Sequence, residues 1–402
     1  MRIVVLTYRP PFPPVSGDRL RMFQLLEYLA PRHDVQLLSF ARDPVQVRQA
    51  LSLKGLGIEV SVVPLRSAVA KLRALAAVAS PVPLQVAYYR DKAMAALVAA
   101  TLKARPADVL YVHLARMASY LAPSLPCIQI LDYMDAFSRF YRSRAAVAAN
   151  PISGTVDEWE SKRLAALEKQ LAISADATVV VSDLDGQCIS RDRPPVTVPL
   201  HVDDWLAWRG PAADLAAPAV MFFGEMSTRY SETAADYLSQ QVMPQVWRRH
   251  PGARLYLVGA NPTRAVKKLH GQGIIVTGYV EDVRPYVAGA CATVAPIRMG
   301  SGLQMKVVQS MALGVPVVAT SLANQGVGAQ DGKHLLLADE PLSFAKAACR
   351  LIDDGELRTR LSREAMEFVQ ARFSGVAVFR ALESALQLGA ERRLARLAVA
   401  SS

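Results

Sequence analysis

The chain has 402 residues, 52% hydrophobic and 20% charged, with a formal net charge of +11. That composition excludes a disordered chain, and the length exceeds the usual single domain, so two domains are expected. The positive charge suits an anionic lipid surface, nucleic acid or phosphorylated substrates. Its basic residues are spread without interleaved stacking aromatics, so nucleic acid is not expected as a partner.

The N-terminus, "MRIVVLTYRPPFPP", reads as a strand and a proline-rich loop rather than a signal peptide. No apolar run is long enough to span a bilayer. Cys127, Cys188, Cys291 and Cys349 lack ligand spacing and each lies in or beside an apolar run, so they read as buried thiols in a reducing compartment. The histidines show no metal pattern either, and no metal site is expected.

In chain order, "RIVVLTY" is a first strand, and the loop "RPPFPPVSGD" leads into a helix over 19–30. Met22, Phe23, Leu26, Leu29 and Ala30 form its apolar face, whereas Arg21 shares another face and is expected to reach a ligand cleft. "HDVQLLSF" and "GIEVSVVPL" are the next strands. Residues 64–83 place Leu65, Val69, Leu72 and Leu75 or Ala76 at helical spacing, with Arg66, Lys71 and Arg73 beside them. That pattern fits a helix lying on a bilayer, but a surface helix covering the sheet is the better reading. "ADVLYVH" ends at His113, and "CIQILDYMD" ends in Asp132 and Asp135. A helix over 153–174 follows, capped by Ser153 or Thr155, with Val156, Trp159, Leu164, Leu167 and Leu171 as its apolar stripe. "ATVVVS" and "VTVPL" complete a largely parallel sheet.

Residues 201–219 lack a clear period and read as an interdomain linker between a domain over 1–200 and one over 220–370. The second domain repeats the pattern in "VMFFG", "ARLYLVG", "GIIVTGYV", "CATVAP", "VPVVAT" and "HLLLAD". Residues 371–402 form a helical segment expected to pack back toward the first domain. The fold class is therefore α/β, two doubly wound Rossmann-like domains facing across a cleft. Ligands in such sheets bind beyond the C-terminal ends of the strands, where Gly17, His113, Asp132, Asp135, Gly224 and residues 298–309 fall.

The stretch "APIRMGSGLQMKVVQSMALGVPVVAT", residues 295–320, carries the most chemistry. A glycine turn at a helix start exposes backbone N–H groups where the helix dipole is positive, which makes an anion site. Lys306 and Gln309 share one helix face, and Val307, Val308 and Met311 cover the buried face. The same residues also fit a solvated turn before an ordinary packing helix.

Taken together, "YRPPFPPVSGDRLRMFQLLEYLAPRHDVQLLSF" and "GYVEDVRPYVAGACATVAPIRMGSGLQMKVVQSMALGVPVVAT" resemble the family-4 type glycosyltransferases with the GT-B fold. "LDYMDAFS", "EWESKRLAALE" and "EDVRPYVAGA" resemble, more narrowly, bacterial sugar transferases of exopolysaccharide clusters. The resemblance implies a metal-independent retaining glycosyltransferase without a cofactor. Its donor is a nucleoside diphosphate sugar, UDP- or GDP-linked, and its acceptor a glycan or a lipid-linked glycan. It implies a cytoplasmic enzyme, with the inner face of the cytoplasmic membrane as a candidate surface.

The resemblance assigns His113 to the donor sugar, Arg298 and Lys306 to the leaving diphosphate, and Asp135, ahead of Asp132, to the acceptor hydroxyl. Donor binding falls to Gly17, Gly224, Arg229, Glu281, Gly300, Ser301, Gly302, Leu303 and Gln309. For Asp282 the capping of a helix start is the better reading. Relatives carry a pair of glutamates where Ser301 and Gln309 stand, and an arginine where Glu225 follows Gly224. Those departures keep an alternative open, a nucleotide-sugar-binding pseudo-glycosyltransferase or scaffold.

Overall fold

The computed structural model describes residues 1–401 apart from Val147, Ala149, Ala217 and Ser301, with backbone alone for residues 399–401. The chain divides into two compact units, Met1–Leu200 with the chain from Val378 onward, and His201–Ala377.

The first unit is built on β1 (Arg2–Thr7), β2 (Asp34–Ala41), β3 (Glu59–Pro64), β4 (Val109–His113), β5 (Ile128–Met134), β6 (Ala177–Val180) and β7 (Val196–Thr197). They form a seven-stranded sheet in the order β3-β2-β1-β4-β5-β6-β7, and every pair is parallel. The order reverses direction between β1 and β4. Val4, Leu6, Leu110 and Val112 bury against one helical layer, and Ile3, Val5, Val109 and Tyr111 against the other. Covering both faces explains why these strands read as continuous apolar runs rather than alternating ones. The Gly375–Ser401 helix contributes Val378, Leu382 and Ala385 to the second of these layers.

The second unit holds β8 (Ala219–Phe223), β9 (Arg254–Val258), β10 (Ile274–Gly278), β11 (Ala292–Ala295), β12 (Val317–Ala319) and β13 (Leu336–Leu337). Its six-stranded sheet has the order β10-β9-β8-β11-β12-β13, again parallel throughout, and reverses between β8 and β11. Apolar layers cover both faces here too. Residues 201–219 belong to this unit. Trp205 is buried beside Phe223, Val202 donates its N–H to the Phe373 carbonyl (3.0 Å), and Ala213 donates to that of Pro285 (2.8 Å).

Several local expectations need correction. The helix expected over 153–174 runs Pro151–Ser174, and its cap is Asn150, whose side chain accepts from the Ile152 N–H (2.9 Å). Pro151 at the first helical position starts it earlier than Ser153 or Thr155 would. Its buried face carries Asp157, Glu160, Ser161 and Glu168 alongside Leu164 and Leu171, whereas Val156 is exposed. Those polar groups are buried because the preceding helix supplies partners: Glu168 accepts from the Ser138 hydroxyl (2.5 Å) and Asp157 from Arg144 Nε (2.6 Å). Cys188 is exposed rather than buried. The helix Ser67–Ala76 buries Ala70 and leaves Val69, Leu72 and Leu75 in solvent, so its apolar stripe does not cover the sheet. Among the described residues no helix is long and apolar enough to cross a membrane.

Candidate active site

In the second unit β8 and β11 are neighbours at the point where the strand order reverses, so the loops leaving their C-terminal ends diverge and open a crevice. Gly224 leaves β8 with φ of 146°, and residues 296–304 leave β11. Gly259, after β9, has φ of 153°, and a Cβ there would stand 1.7 Å from the Gly224 carbonyl oxygen. Only glycine lets the two backbones approach so closely.

Lys306 lies in the first turn of the Met305–Ala312 helix and reaches back to this point. Its Nζ stands 4.3 Å from the Phe222 ring centroid, and a Cβ on Gly224 would be 3.5 Å from it. Burial pushes the ammonium down to about 8, and among the described residues no carboxylate pairs with it. The helix start is also open, because the N-cap Gln304 makes no side-chain capping bond. Lys306 is half-buried, and it sets a desolvated cation beside an uncapped helix N-terminus, an arrangement that favours an anion.

Gly300 and Gly302 have φ of 126° and 79°, but the turn ends before Gln304, so it borders the helix start instead of forming it. Ser301 lies outside the described residues. The Tyr230 ring is near Gly300, 3.5 Å from where a Cβ would be, which brings the start of the Arg229–Tyr237 helix to the same turn. Arg229 itself is exposed. Arg298 is exposed and its guanidinium lies 5.1 Å from the Tyr237 ring centroid. Gln309, half-buried, is one turn along the helix from Lys306, and Leu303 packs against the apolar layer beneath. Glu281 is exposed, and no described contact joins it to Lys306. The N-cap of the Arg284–Gly289 helix is Val283 rather than Asp282, which stands one residue earlier and accepts from the Arg284 N–H (2.9 Å) and Nε (2.9 Å). Glu225 turns to its own loop: it accepts from the Ser227 hydroxyl (2.6 Å) and from Asn261 Nδ2 (3.3 Å). Those bonds hold its carboxyl below the usual range, the Ser227 hydroxyl most of all.

In the first unit the strand ends carry a different arrangement. Arg21 does not reach a cleft. It is buried, and its Nε donates to Asp132 Oδ2 (2.6 Å). The Tyr111 hydroxyl donates to the same oxygen (2.8 Å), and Oδ1 accepts from the Met134 N–H (2.8 Å). Burial alone would raise the Asp132 carboxyl, but Arg21 and His113 outweigh it and hold it well below the usual range. Asp132 is thereby consumed by the fold. His113 Nδ1 lies 3.7 Å from Asp132 Oδ2. The ring is buried, yet neither nitrogen has a hydrogen-bond partner among the described residues. Asp135, just past the strand, keeps its Oδ1 unpartnered. Burial, then the charge of Asp185, pushes its carboxyl up to about 7. Asp185 is itself held by Arg139 (2.6 Å) and the Ser182 hydroxyl (2.6 Å). Gly17 starts the Gly17–Leu29 helix against Met134, whose Cε would be 3.2 Å from a Cβ there.

Three features at this end escaped the sequence reading. Leu114, directly after His113, and Met134, two residues past Asp132, have φ of 72° and 60°, backbone strain that sequence does not reveal in a leucine or a methionine. Asp18 binds the Tyr8 hydroxyl (2.6 Å) and Arg9 Nε (2.9 Å). Arg116 lies 4.6 Å from the Tyr8 ring centroid and 4.7 Å from that of Phe137, without a carboxylate partner among the described residues. The aspartate in "SGDR" and the arginine three residues past His113 were the available signals.

Comparison with known proteins agrees with the fold. Residues 217–354 match the family described as Glycosyl transferases group 1. An uncharacterized 44.6 kDa protein in the cps region of Klebsiella pneumoniae is 21% identical over 221 residues. That match covers 53% of this chain, and the chain spans 56% of that relative's length. Among solved structures, Anabaena HepE in complex with UDP superposes with a TM-score of 0.67 at 15% identity, covering 96% of this chain and all (100%) of that one. Sucrose-phosphate synthase from Thermosynechococcus elongatus gives 0.67 at 17% identity over 100% of both chains. A variant of S. aureus TarM in complex with Fondaparinux, alpha-GlcNAc-glycerol and UDP gives 0.66 at 9% identity, covering 96% of this chain and 100% of that one. The chain has the GT-B fold, and its residues 217–354 match the glycosyl transferases group 1 family.

Proposed function

We propose that the protein is a glycosyltransferase that moves a sugar, with retention of configuration, from a nucleoside diphosphate sugar to a glycan or lipid-linked acceptor. The observation that carries this reading is Lys306, half-buried beside Gly224 and Phe222 with its ammonium desolvated and no carboxylate partner among the described residues, within the stretch that matches the group 1 family. A diphosphate supplies the missing charge. As the bond from the anomeric carbon to the diphosphate breaks, its electron pair leaves with the phosphate oxygen, and Lys306, Arg298 and the open helix start stabilise that oxygen. With that much positive charge in place, the reading assigns no divalent ion. Solved neighbours hold UDP or UDP-glucose, so a UDP-linked donor is the form to test first.

In the first unit, His113, assigned to the donor sugar, and Asp135, assigned to the acceptor hydroxyl, have polar atoms without hydrogen-bond partners among the described residues. A carboxyl near 7 is suited to take the proton of an acceptor hydroxyl at neutral pH. Arg116, backed by aromatic rings, is a cation for an acidic acceptor group. The cps-region relative fits an acceptor in polysaccharide synthesis.

The reading includes peripheral attachment to an anionic membrane. The Ser67–Ala76 helix shows Val69, Leu72 and Leu75 to solvent with Arg66 and Lys71. Arg73 is excluded from that set, since it donates to Asp91 (2.8 Å) and to the Arg90 carbonyl (2.6 Å).

The test is titration calorimetry with UDP and with uridine, followed by product analysis with UDP-sugars. Lys306→Ala should weaken UDP by about 10²-fold and uridine far less, the loss of a charged phosphate contact. His113→Ala should lower turnover by about 10²-fold while leaving UDP binding nearly unchanged. Equal UDP affinity in wild type and Lys306→Ala would refute the donor site. UDP-sugar binding without turnover on any acceptor would favour the alternative, a binding protein without transfer, which Gln309 in place of a carboxylate motivates.

A further inference from the structure

A second cavity lies wholly in the first unit. It measures about 530 Å³, within the range of small-molecule sites, and none of His113, Asp132 or Asp135 lines it. One wall is the segment 81–90, another is 118–123, and the third is the C-terminal half of the Pro151–Ser174 helix. Pro83, Val86, Leu121, Leu167 and Leu171 make most of this surface apolar.

Six polar side chains line it, Arg90, Ser119, Gln129, Arg163, Gln170 and Ser174, and they are unequal. Gln129 is spent on the fold, since its amide accepts from the Ala122 N–H (2.9 Å) and donates to the Ala122 carbonyl (2.7 Å). Arg163 is different. Its side chain is 9% exposed and its guanidinium stacks 4.0 Å from the Trp159 ring centroid. Nη2 donates to the carbonyls of Ala77 (2.8 Å) and Ser80, and Nη1 stands 3.6 Å from Glu160 Oε2. Nε and Nη1 make no hydrogen bond among the described residues. Arg90, exposed, lines the same cavity.

A sugar or a peptide would leave its hydroxyls or amides unpaired against these walls, which is costly. A hydrocarbon chain would not, and an anionic head would complete Arg163. The wall also begins where the exposed apolar stripe ends, at Val78–Pro81, and Arg163 clamps that junction. We propose that this cavity is a binding site for one chain of an anionic amphiphile, its acidic head on Arg163 and Arg90. The inference does not rest on the donor reading and shares with the membrane reading only the neighbouring stripe.

The probe is dodecyl phosphate below its micelle concentration, followed by calorimetry and by the fluorescence of Trp159, which stacks on Arg163. Wild type should show one saturable site. Dodecyl maltoside, the same chain without charge, should bind at least about tenfold more weakly. Inorganic phosphate should not compete. Ala166→Phe and Gln170→Phe fill the mouth from exposed helix positions and should each weaken binding by about tenfold or more while leaving UDP affinity unchanged. Leu72→Asp with Leu75→Asp should abolish vesicle flotation and spare dodecyl phosphate binding. Absence of saturable binding, displacement by inorganic phosphate, or wild-type affinity in both filled variants would overturn the proposal.

Discussion

The two units share a fold plan and treat charge at their strand ends in opposite ways. In the first, Arg21, Asp132 and Tyr111 close on one another, as do Arg9, Asp18 and Tyr8. In the second, Lys306 has no acidic partner among the described residues, and Glu225, in the loop after Gly224, is occupied by Ser227 and Asn261. A closed network spends its charges on rigidity. An open one keeps them for a ligand and accepts a less stable empty state. On the proposed reading, the first arrangement stiffens the strand ends that carry His113 and Asp135, and the second selects an anion.

The comparison is broken most directly at Asp132. Asp132→Ala strands the buried Arg21, and urea unfolding should show a loss of about 3–5 kcal/mol. A loss under about 1 kcal/mol would mean the network is not closed in solution.

The second unit should respond with the opposite sign. The Lys306 ammonium is depressed to about 8 from an ordinary ~10.4, so its contribution to stability is present above the ordinary value and lost as pH falls through about 8. At pH 7 the empty protein carries the full cost. Lys306→Met should therefore raise its stability at pH 7 by about 2 kcal/mol, and by less at pH 10. Saturating UDP should raise the melting temperature of wild type more than that of the variant. A destabilised Lys306→Met at pH 7 would show that the ammonium already has a partner.

Asp135 tests whether the first network has one open place. Its carboxyl is raised to about 7, so the stability it contributes is present below the ordinary carboxylate value and lost as pH rises through about 7. Asp135→Asn should be neutral at pH 4 and stabilising by about 1–2 kcal/mol at pH 8, with turnover reduced. A pH-independent difference would place Asp135 among the paired carboxylates.

The smallest effect is expected at Gln309. A carboxylate there lies one turn from Lys306 and would supply the counter-ion internally. Gln309→Glu should stabilise the empty protein slightly and weaken UDP several-fold, by about 1 kcal/mol. Tighter UDP binding would show that Gln309 meets the ribose alone and that Lys306 lies beyond its reach.

Much of this layout was legible in the residues themselves. Apolar runs covered on two faces, turn glycines and the order of strands and helices are local properties, and parallel sheets with short crossovers leave few ways to assemble them. So "ADVLYVH" placed His113 at a strand end, and "RMGSGLQMK" placed a cation at a helix start. The state of each charged group was not legible, because it depends on partners distant in the chain. Arg21 looked free for a ligand until Asp132, Tyr111 and the Val198 carbonyl closed around it. The Ser67–Ala76 stripe looked able to cover a sheet until Ala70 was the residue that turned inward. Asp132 and Asp135 are alike as letters, and only the fold gave one of them an arginine and left the other a buried oxygen without a partner. Periodicity is written within a segment, whereas pairing and desolvation are decided between segments, and those two terms set which groups remain for chemistry.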